Sequence, residues 1–530
     1  MEASSPGRHA RTLNGLMWLL LVAGFLLRLR VAWLTFLNPD EALHYYLAHQ
    51  PSLKLAYEAS LTTAHPPLMI VFLHFWCRIA GSEFFLRLPF VIAGFLFCLI
   101  TFLWSARVAG RNAACFAFAL FLFAPPLISL SAELRQYSFL LLFCACSIYF
   151  LERAMKEDSI PWMAISAAFL YLALLTHYSA LIFAASAGVY ALVRLPPQSH
   201  RPGLVASWVA AQLGGLAILA ALYLTQISIL RRSGLPSEIA STWLRSSVFH
   251  HAEDHAIVFA WSRTLRLFRY LFSHGTVGAI ALALFVFGIA TLLRPSDRAL
   301  LSKQRGLAVL LILPFAITLA AAVAGLYPYG GTRHDVILAI FAIPAIAIGL
   351  DRLPDVFGSA STRLLKVTLL AAGLIVCNLF PSPTGPYIRP HNQRRELMQQ
   401  AVNRVRELPP ESVIFTDDQG SMVLNYYLCG ETMRLSFVST GDELLKFDCR
   451  NQKILVATDT PGGFNRGQFP AQLVKARAAV PEGAAIYLFQ SGWIDDKEQE
   501  WLTQLRGLGG TPQNFGPNIL ICPFSAAPPQ

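Results

Sequence analysis

The chain has 530 residues, of which 55% are hydrophobic and only 14% charged, with a formal net charge of +11 and a mean hydropathy of +0.50. A disordered chain needs the opposite balance, a soluble enzyme carries about a quarter charged residues, and nine cysteines are too sparse for a secreted disulfide scaffold. What remains is a polytopic α-helical membrane protein, because runs of about 20 apolar residues can span a bilayer.

The N-terminus has the basic start of a signal peptide. Its apolar stretch is too long and is interrupted by arginine, and no small-residue cleavage site follows, so Leu16–Leu37 is predicted as an uncleaved first helix. Ten further apolar segments follow at roughly 87–106, 112–130, 137–151, 161–177, 178–193, 204–226, 275–293, 306–326, 335–350 and 364–380, giving about 11 spans. The stretch 66–80 is too short to cross and reads as membrane-lying or re-entrant. Counting it as a span would put Arg107, Arg111 and the Arg294–Arg305 cluster outside. With eleven spans they stay inside, as the positive-inside rule prefers. This topology puts the N-terminus in the cytoplasm and the tail outside.

Residues 381–530 hold 14 Lys and Arg against 15 Asp and Glu, so the basic excess belongs to residues 1–380. The basic residues are scattered between apolar segments, which argues against nucleic acid. Most of them fit inner loops that fix topology. The outer loop 227–274 is the exception, with Arg231, Arg232, Arg245, Arg263, Arg266 and Arg269. Long loops translocate largely regardless of charge, so these arginines ask for an anionic partner on the outer side.

The tail is predicted as a compact α/β domain. Its strand-like runs are Val413–Thr416, Leu435–Val438, Ile454–Ala457, Ala485–Phe489 and Ile519–Cys522, and its helical runs are Gln393–Leu408 and Lys497–Leu505. It has no glycine-rich phosphate loop. Cys429 and Cys449 could pair if the tail faces an oxidising compartment. The cysteines of the membrane part read as small core residues.

The informative residues are those predicted for the outer face. Asp40 and Glu41 stand where the first span ends. Both could be ordinary acidic residues of a helix start, with Asp40 the stronger functional candidate. His65 precedes Pro66-Pro67 and could donate to a phosphate or carboxylate. Arg87 reads as a snorkelling side chain. Glu133 and Arg135 lie beside an apolar run, where charges are costly unless paired or facing a cavity. Arg333-His334-Asp335 and Thr176-His177-Tyr178 add two more polar sets. Acidic and histidine residues therefore gather on one face. That favours an outward-facing cleft over a conduction path, which would place polar groups mid-span.

These segments resemble the GT-C glycosyltransferases that use polyprenyl-phosphate sugars, of the glycosyltransferase family 39 type, relatives of protein O-mannosyltransferases and lipid A aminoarabinose transferases. The resemblance rests on DEALHYY (40–46), HPPL (65–68), GSEFFLRLPF (81–90), RVAGRNAA (107–114), APPLISLSAELRQYSFLLL (124–142) and LLTHYSAL (174–181), in order over about 140 residues, with a weaker TRHDVILAIFAIP at 332–344. It implies a transmembrane catalytic domain over 1–380, with membrane-lying helices in the first outer loop, 38–86, and an extracytoplasmic α/β domain over 381–530. Asp40 matches the family's catalytic aspartate and Glu41 its acidic neighbour. His65 matches a position near the donor phosphate, and Arg135 and Tyr137 match an R-x-Y element. Glu133 falls near a second acidic position. Arg333 matches an arginine usually followed by Tyr, here His334.

The implied reaction is inverting transfer of a hexosyl or pentosyl group from a polyprenyl-phosphate donor to an extracytoplasmic protein, lipid or glycan acceptor, in a bacterial inner membrane. Asp40 would act as base, with Glu41 orienting it or the acceptor. Arg135, His65, Arg231, Arg232 and Arg333 would neutralise the leaving phosphate. No organic cofactor is implied. The sequence shows no metal-ligand spacing, and a divalent metal is left open. The competing classes are a lipid-linked sugar flippase and a non-catalytic envelope scaffold.

Overall fold

The computed structural model describes residues 6–195, 201–233, 244–294, 301–354, 358–381, 394–429, 444–449, 452–457, 469–481, 484–491, 510–516 and 519–524. Each of the eleven apolar segments coincides with helix. In chain order the helices are α1 (Pro6–Leu34), α2 (Pro39–Ala48), α3 (Leu53–Ser60), α4 (Leu68–Trp76), α5 (Glu83–Ala109), α6 (Arg111–Phe123), α7 (Pro125–Ser131), α8 (Tyr137–Glu157), α9 (Ile160–Leu174), α10 (Ala180–Arg194), α11 (Pro202–Leu222), α12 (Ala256–Phe272), α13 (Gly275–Leu293), α14 (Leu301–Val323), α15 (Ala339–Asp351) and α16 (Ser359–Leu379). Beyond its last residue, α11 continues through a π-turn to Arg232.

Among the described residues, eight helices are long and apolar enough to cross a membrane. A ninth crossing results if α6 and α7, which meet at 56°, form one broken span. The helices α9 and α10 are apolar but have only 15 residues each. The nine residues of α4 cannot cross, so 66–80 is not a span.

Burial sorts these helices. The segment containing α15 is 89% buried, whereas α11 and α16 are 17% and 11% buried and turn apolar side chains outward. Small residues let α15 sit at the centre. A Cβ on Gly288 would collide with the Ala345 carbonyl, and one on Gly349 with the Leu284 carbonyl, so α13 and α15 touch backbone to backbone.

The α6–α7 break follows from Pro125 and Pro126, which cannot continue the hydrogen-bond ladder. Carbonyls freed there are met by Arg28 of α1, which is fully buried. It donates to the carbonyls of Leu122 (2.8 Å), Phe121 (3.1 Å) and Gly24 (3.0 Å), and to Ser131 Oγ (3.1 Å). This guanidinium therefore braces the bend that carries residues 132–136 into position.

The tail folds as a six-stranded mixed sheet, β1 (Val413–Asp417), β2 (Leu444–Cys449), β3 (Gln452–Ala457), β4 (Ile486–Ser491), β5 (Gln513–Gly516) and β6 (Ile519–Phe524), in the order β2-β3-β1-β4-β6-β5. The central β1 runs parallel to β3 and β4, and the outer pairings are antiparallel. Helices α17 (Arg395–Arg406), α18 (Asp418–Leu424) and α19 (Phe469–Ala478) accompany the sheet. Cys429 and Cys449 form a disulfide. The strand expected at Leu435–Val438 and the helix expected at Lys497–Leu505 lie outside the described residues.

Candidate active site at one end of the helices

The start of α2 divides its two carboxylates. Asn38 caps the helix: its Oδ1 accepts the Glu41 N–H (3.1 Å), while Glu41 Oε2 accepts the Asn38 N–H (3.0 Å) and Nδ2 (2.7 Å). This is a reciprocal capping box, with Pro39 at the first helical position, where its fixed φ suits the turn. Glu41 also accepts from Arg87 Nε (2.7 Å) and Nη2 (2.6 Å) and from the Leu134 N–H (2.7 Å), and both side chains of the pair are fully buried. Glu41, expected to orient an acceptor or the base, is thus committed to holding α2, α5 and the 132–136 turn together. Arg87 does not snorkel. Its remaining donors go to the carbonyls of Ala32, Thr35 and Phe36, at 3.1, 2.7 and 2.7 Å.

With the cap assigned to Glu41, Asp40 is left at the cleft with 24% of its side chain exposed. Its Oδ2 lies 2.8 Å from Arg135 Nη1 and 2.6 Å from Arg333 Nη2. Burial alone would raise this carboxyl, but the two guanidiniums outweigh it and hold Asp40 well below the usual carboxylate range. Glu133 behaves oppositely. It is buried, and burial together with the Glu41 charge pushes its carboxyl up to about 8 against the pull of Arg333 and Arg135.

Four imidazoles line the same place. The rings of His44 and His65 are 6.1 Å apart, those of His65 and His177 5.1 Å, and those of His177 and His334 6.4 Å, with Tyr137 5.5 Å from His177. His44 Nδ1–H donates to the Asp40 carbonyl (2.6 Å). Burial, reinforced by Arg135, lowers both His44 and His177 to about 3, so both rings are neutral. At His177 the Ser179 N–H donates to Nδ1 (3.1 Å), which places the ring proton on Nε2. His177 Nε2, Tyr137 Oη and Arg135 Nε are buried and have no hydrogen-bond partner within the protein. Unpaired buried donors are costly, and their grouping around Asp40 marks a polar ligand site.

Arg333 is aimed by its loop. Gly330 and Gly331, at φ +132° and +86°, press the backbone so closely onto α12 that a Cβ would run into the Arg263 side chain or the Arg266 carbonyl. Buried Asp335 ties the loop by accepting the N–H groups of Gly330, Gly331 and Thr332 at 3.2, 3.0 and 3.1 Å. Arg263, Arg266 and Arg269 recur every three residues along α12. Arg266 is lowered by burial and by the neighbouring Arg263 and Arg269. Neither Arg263 nor Arg266 has a carboxylate partner among the described residues.

Of the ten residues singled out in the sequence, Asp40, His65, Glu133, Arg135, Tyr137, Arg333 and His334 come together. Glu41 stands behind them as a brace. Arg231 and Arg232 end the α11 extension as exposed side chains, and no ion pair or hydrogen bond links them to the Asp40 group among the described residues. Sequence reasoning placed His177 on this face within the Thr176-His177-Tyr178 set without giving it a role, and gave His44 none. The signal for His44 was its position four residues after Asp40, one helical turn on. No group of three or more His, Cys, Asp or Glu side chains converges to hold a metal ion among the described residues.

A family profile described as dolichyl-phosphate-mannose-protein mannosyltransferase matches residues 64–225, which include His65, Arg87, the 133–137 turn and His177. Among solved structures, apo ArnT from Cupriavidus metallidurans aligns over 98% of this chain and 100% of its own length, with TM-score 0.55 and 15% identity. The chain has the fold of ArnT. The undecaprenyl-phosphate-bound ArnT of the same organism aligns equally well (TM-score 0.55, 14% identity, 97% of this chain and 99% of that one). The oligosaccharyltransferase AglB from Archaeoglobus fulgidus aligns over 78% of this chain and 63% of its own, with TM-score 0.46 and 12% identity. No curated protein sequence is a significant match.

Proposed function

We propose that the protein is an inverting glycosyltransferase that moves a sugar from a polyprenyl-phosphate donor to an acceptor on the extracytoplasmic face of a bacterial inner membrane. The observation that carries this reading is Asp40, a carboxylate held between Arg135 and Arg333 from two separate outer elements and surrounded by neutral histidines and unpaired donors. The undecaprenyl phosphate bound by ArnT, a protein of the same fold, supports a lipid-phosphate donor.

In this reaction the acceptor hydroxyl oxygen bonds to the anomeric carbon as the bond from that carbon to the phosphate oxygen breaks. The electron pair leaves with polyprenyl phosphate, and the hydroxyl proton passes to Asp40. At rest Asp40 is a weak base because two cations hold its charge. A donor phosphate between Arg135 and Arg333 competes for the same guanidiniums. Drawing them off Asp40 raises its basicity when a sugar is in place, while the arginines, Tyr137 Oη and His177 Nε2–H stabilise the departing anion. Arg263 and Arg266 on α12 add uncompensated positive charge to the outer side, which suits an anionic lipid head. Phosphate leaves as a stable anion, so the step as written uses only residues of this chain.

The test is to incubate purified protein in liposomes with a polyprenyl-phosphate hexose or pentose labelled in the sugar, together with candidate acceptors. A transferase releases unlabelled polyprenyl phosphate and labels the acceptor. A flippase moves label across the bilayer without consuming it, and a scaffold does neither.

A further inference from the structure

The residues on either side of Asp40 are interleaved with the tail. Phe36, four residues before Asp40, is fully buried in the tail's own core with Met398, Val402 and Ile414. In return Met422 of α18 is buried in the core of the first outer loop with Tyr46 and Leu134, and Tyr426 and Tyr427 pack against that core. Tyr427 Oη accepts the Leu37 N–H (2.8 Å) and donates to Glu83, which also pairs with Arg395 of α17 at 2.7 Å. Tyr426 Oη donates to the Gly81 carbonyl (2.7 Å), and Tyr46 Oη to the Met422 carbonyl (3.2 Å). Thr35 and Arg394 form an antiparallel bridge. The segment Asn425–Cys429 that carries both tyrosines is bound to β2 by the Cys429–Cys449 disulfide.

We propose that the tail is a clamp that sets the position of Asp40, with Tyr427 as its positioning residue. Asp40 lies between two anchored points, Phe36–Leu37 on one side and Tyr46 on the other, so α2 cannot shift unless tail contacts break. The clamp also bears on the Glu41–Arg87 pair, because Arg87 donates to the carbonyls of Thr35 and Phe36, the residues the tail holds. The disulfide fixes the tyrosine segment to the sheet. A displacement of about 1 Å at a reacting group can cost about a hundredfold in rate, so a contact that never touches substrate can still control turnover.

The effect on turnover rests on the proposed transferase reaction; the structural effect does not. Tyr427→Phe keeps the ring and removes one hydroxyl. Two readouts are taken on the full-length protein in nanodiscs: hydrogen exchange of amides 39–48, and transfer kinetics. The clamp predicts faster exchange across α2 and a kcat lowered about tenfold or more, with KM for the donor changed less than about twofold. The paired Cys429→Ser and Cys449→Ser variant should move both readouts in the same direction, and it decides the matter if Tyr427→Phe does not fold. Glu411→Gln, which removes only an exposed tail ion pair with Lys453, should move neither. Unchanged exchange across α2 in a folded Tyr427→Phe or cysteine variant overturns the clamp. So does faster exchange with kcat unchanged. If wild-type protein transfers no sugar, the proposed reaction fails, and the exchange measurement alone decides whether the tail holds α2.

Discussion

Replacing Arg87 by methionine leaves Glu41 as a fully buried carboxylate with no cation against it. In the native protein the pair makes two short charge-assisted bonds, and the guanidinium also satisfies three carbonyls and Thr35 Oγ1. Removing one partner of a buried ion pair costs about 3–5 kcal/mol, because the remaining charge is stranded. The carbonyls of Ala32, Thr35 and Phe36 lose their donor as well, which places the expected loss toward the upper end. Glu41→Gln should cost less, since Arg87 keeps its carbonyl acceptors. Adding Glu41→Gln to Arg87→Met removes the stranded charge, so the double variant should be more stable than the sum of the single losses predicts by about 2 kcal/mol. The assay is reversible denaturant titration in micelles on all four members of the cycle. Single losses that simply add, within about 0.5 kcal/mol, would refute the claim that this pair holds α2, α5 and the 132–136 turn together.

Three further outcomes follow from particular contacts. Glu133, raised to about 8, favours its protonated form in the folded protein, so its contribution to stability is complete below its unfolded pKa and is lost as pH rises through about 8. Melting temperature should therefore fall as pH rises from about 5 to about 8 and level off above that, and Glu133→Gln should flatten that slope. Arg28→Met leaves the carbonyls of Phe121 and Leu122 at the α6–α7 break without their donor, at about 1–3 kcal/mol for each unsatisfied group, and should lower the folded yield in detergent. Gly288→Ala drives a methyl into the Ala345 carbonyl and should lower the melting temperature, whereas Gly15→Ala, where nothing stands in the way, should not.

Much of the fold was legible because apolar length is a strong signal. The eleven segments all became helix, and the fifteen residues at 66–80 were read as non-spanning on length and charge alone. In the tail, β1, β3, β4 and β6 were visible as β-branched or aromatic runs; β2 and β5 lack such runs and were missed, as were α18 and α19, helices of only 7 and 10 residues. Asp40, Arg135 and Arg333 were legible as single residues. Their meeting at one carboxylate oxygen was not, because Arg135 and Arg333 lie 95 and 293 residues beyond Asp40 in the chain. Glu41 and Arg87 were read separately for a definite reason: a carboxylate beside a catalytic candidate and an arginine at a span end each have a common local explanation, and only the tertiary fold shows that they pair. The interleaving of Phe36 with the tail left no local trace, since a phenylalanine at the end of an apolar helix looks like part of the membrane span.

The central claim is that Asp40 takes the proton in an inverting transfer. It is tested most directly by nuclear magnetic resonance of the product anomer formed by purified wild-type and Asp40→Asn proteins from a labelled polyprenyl-phosphate sugar. Wild-type protein should give a product of inverted anomeric configuration, and the folded Asp40→Asn variant should give none. Undiminished transfer by Asp40→Asn, or retention of configuration in the wild-type product, would contradict the account.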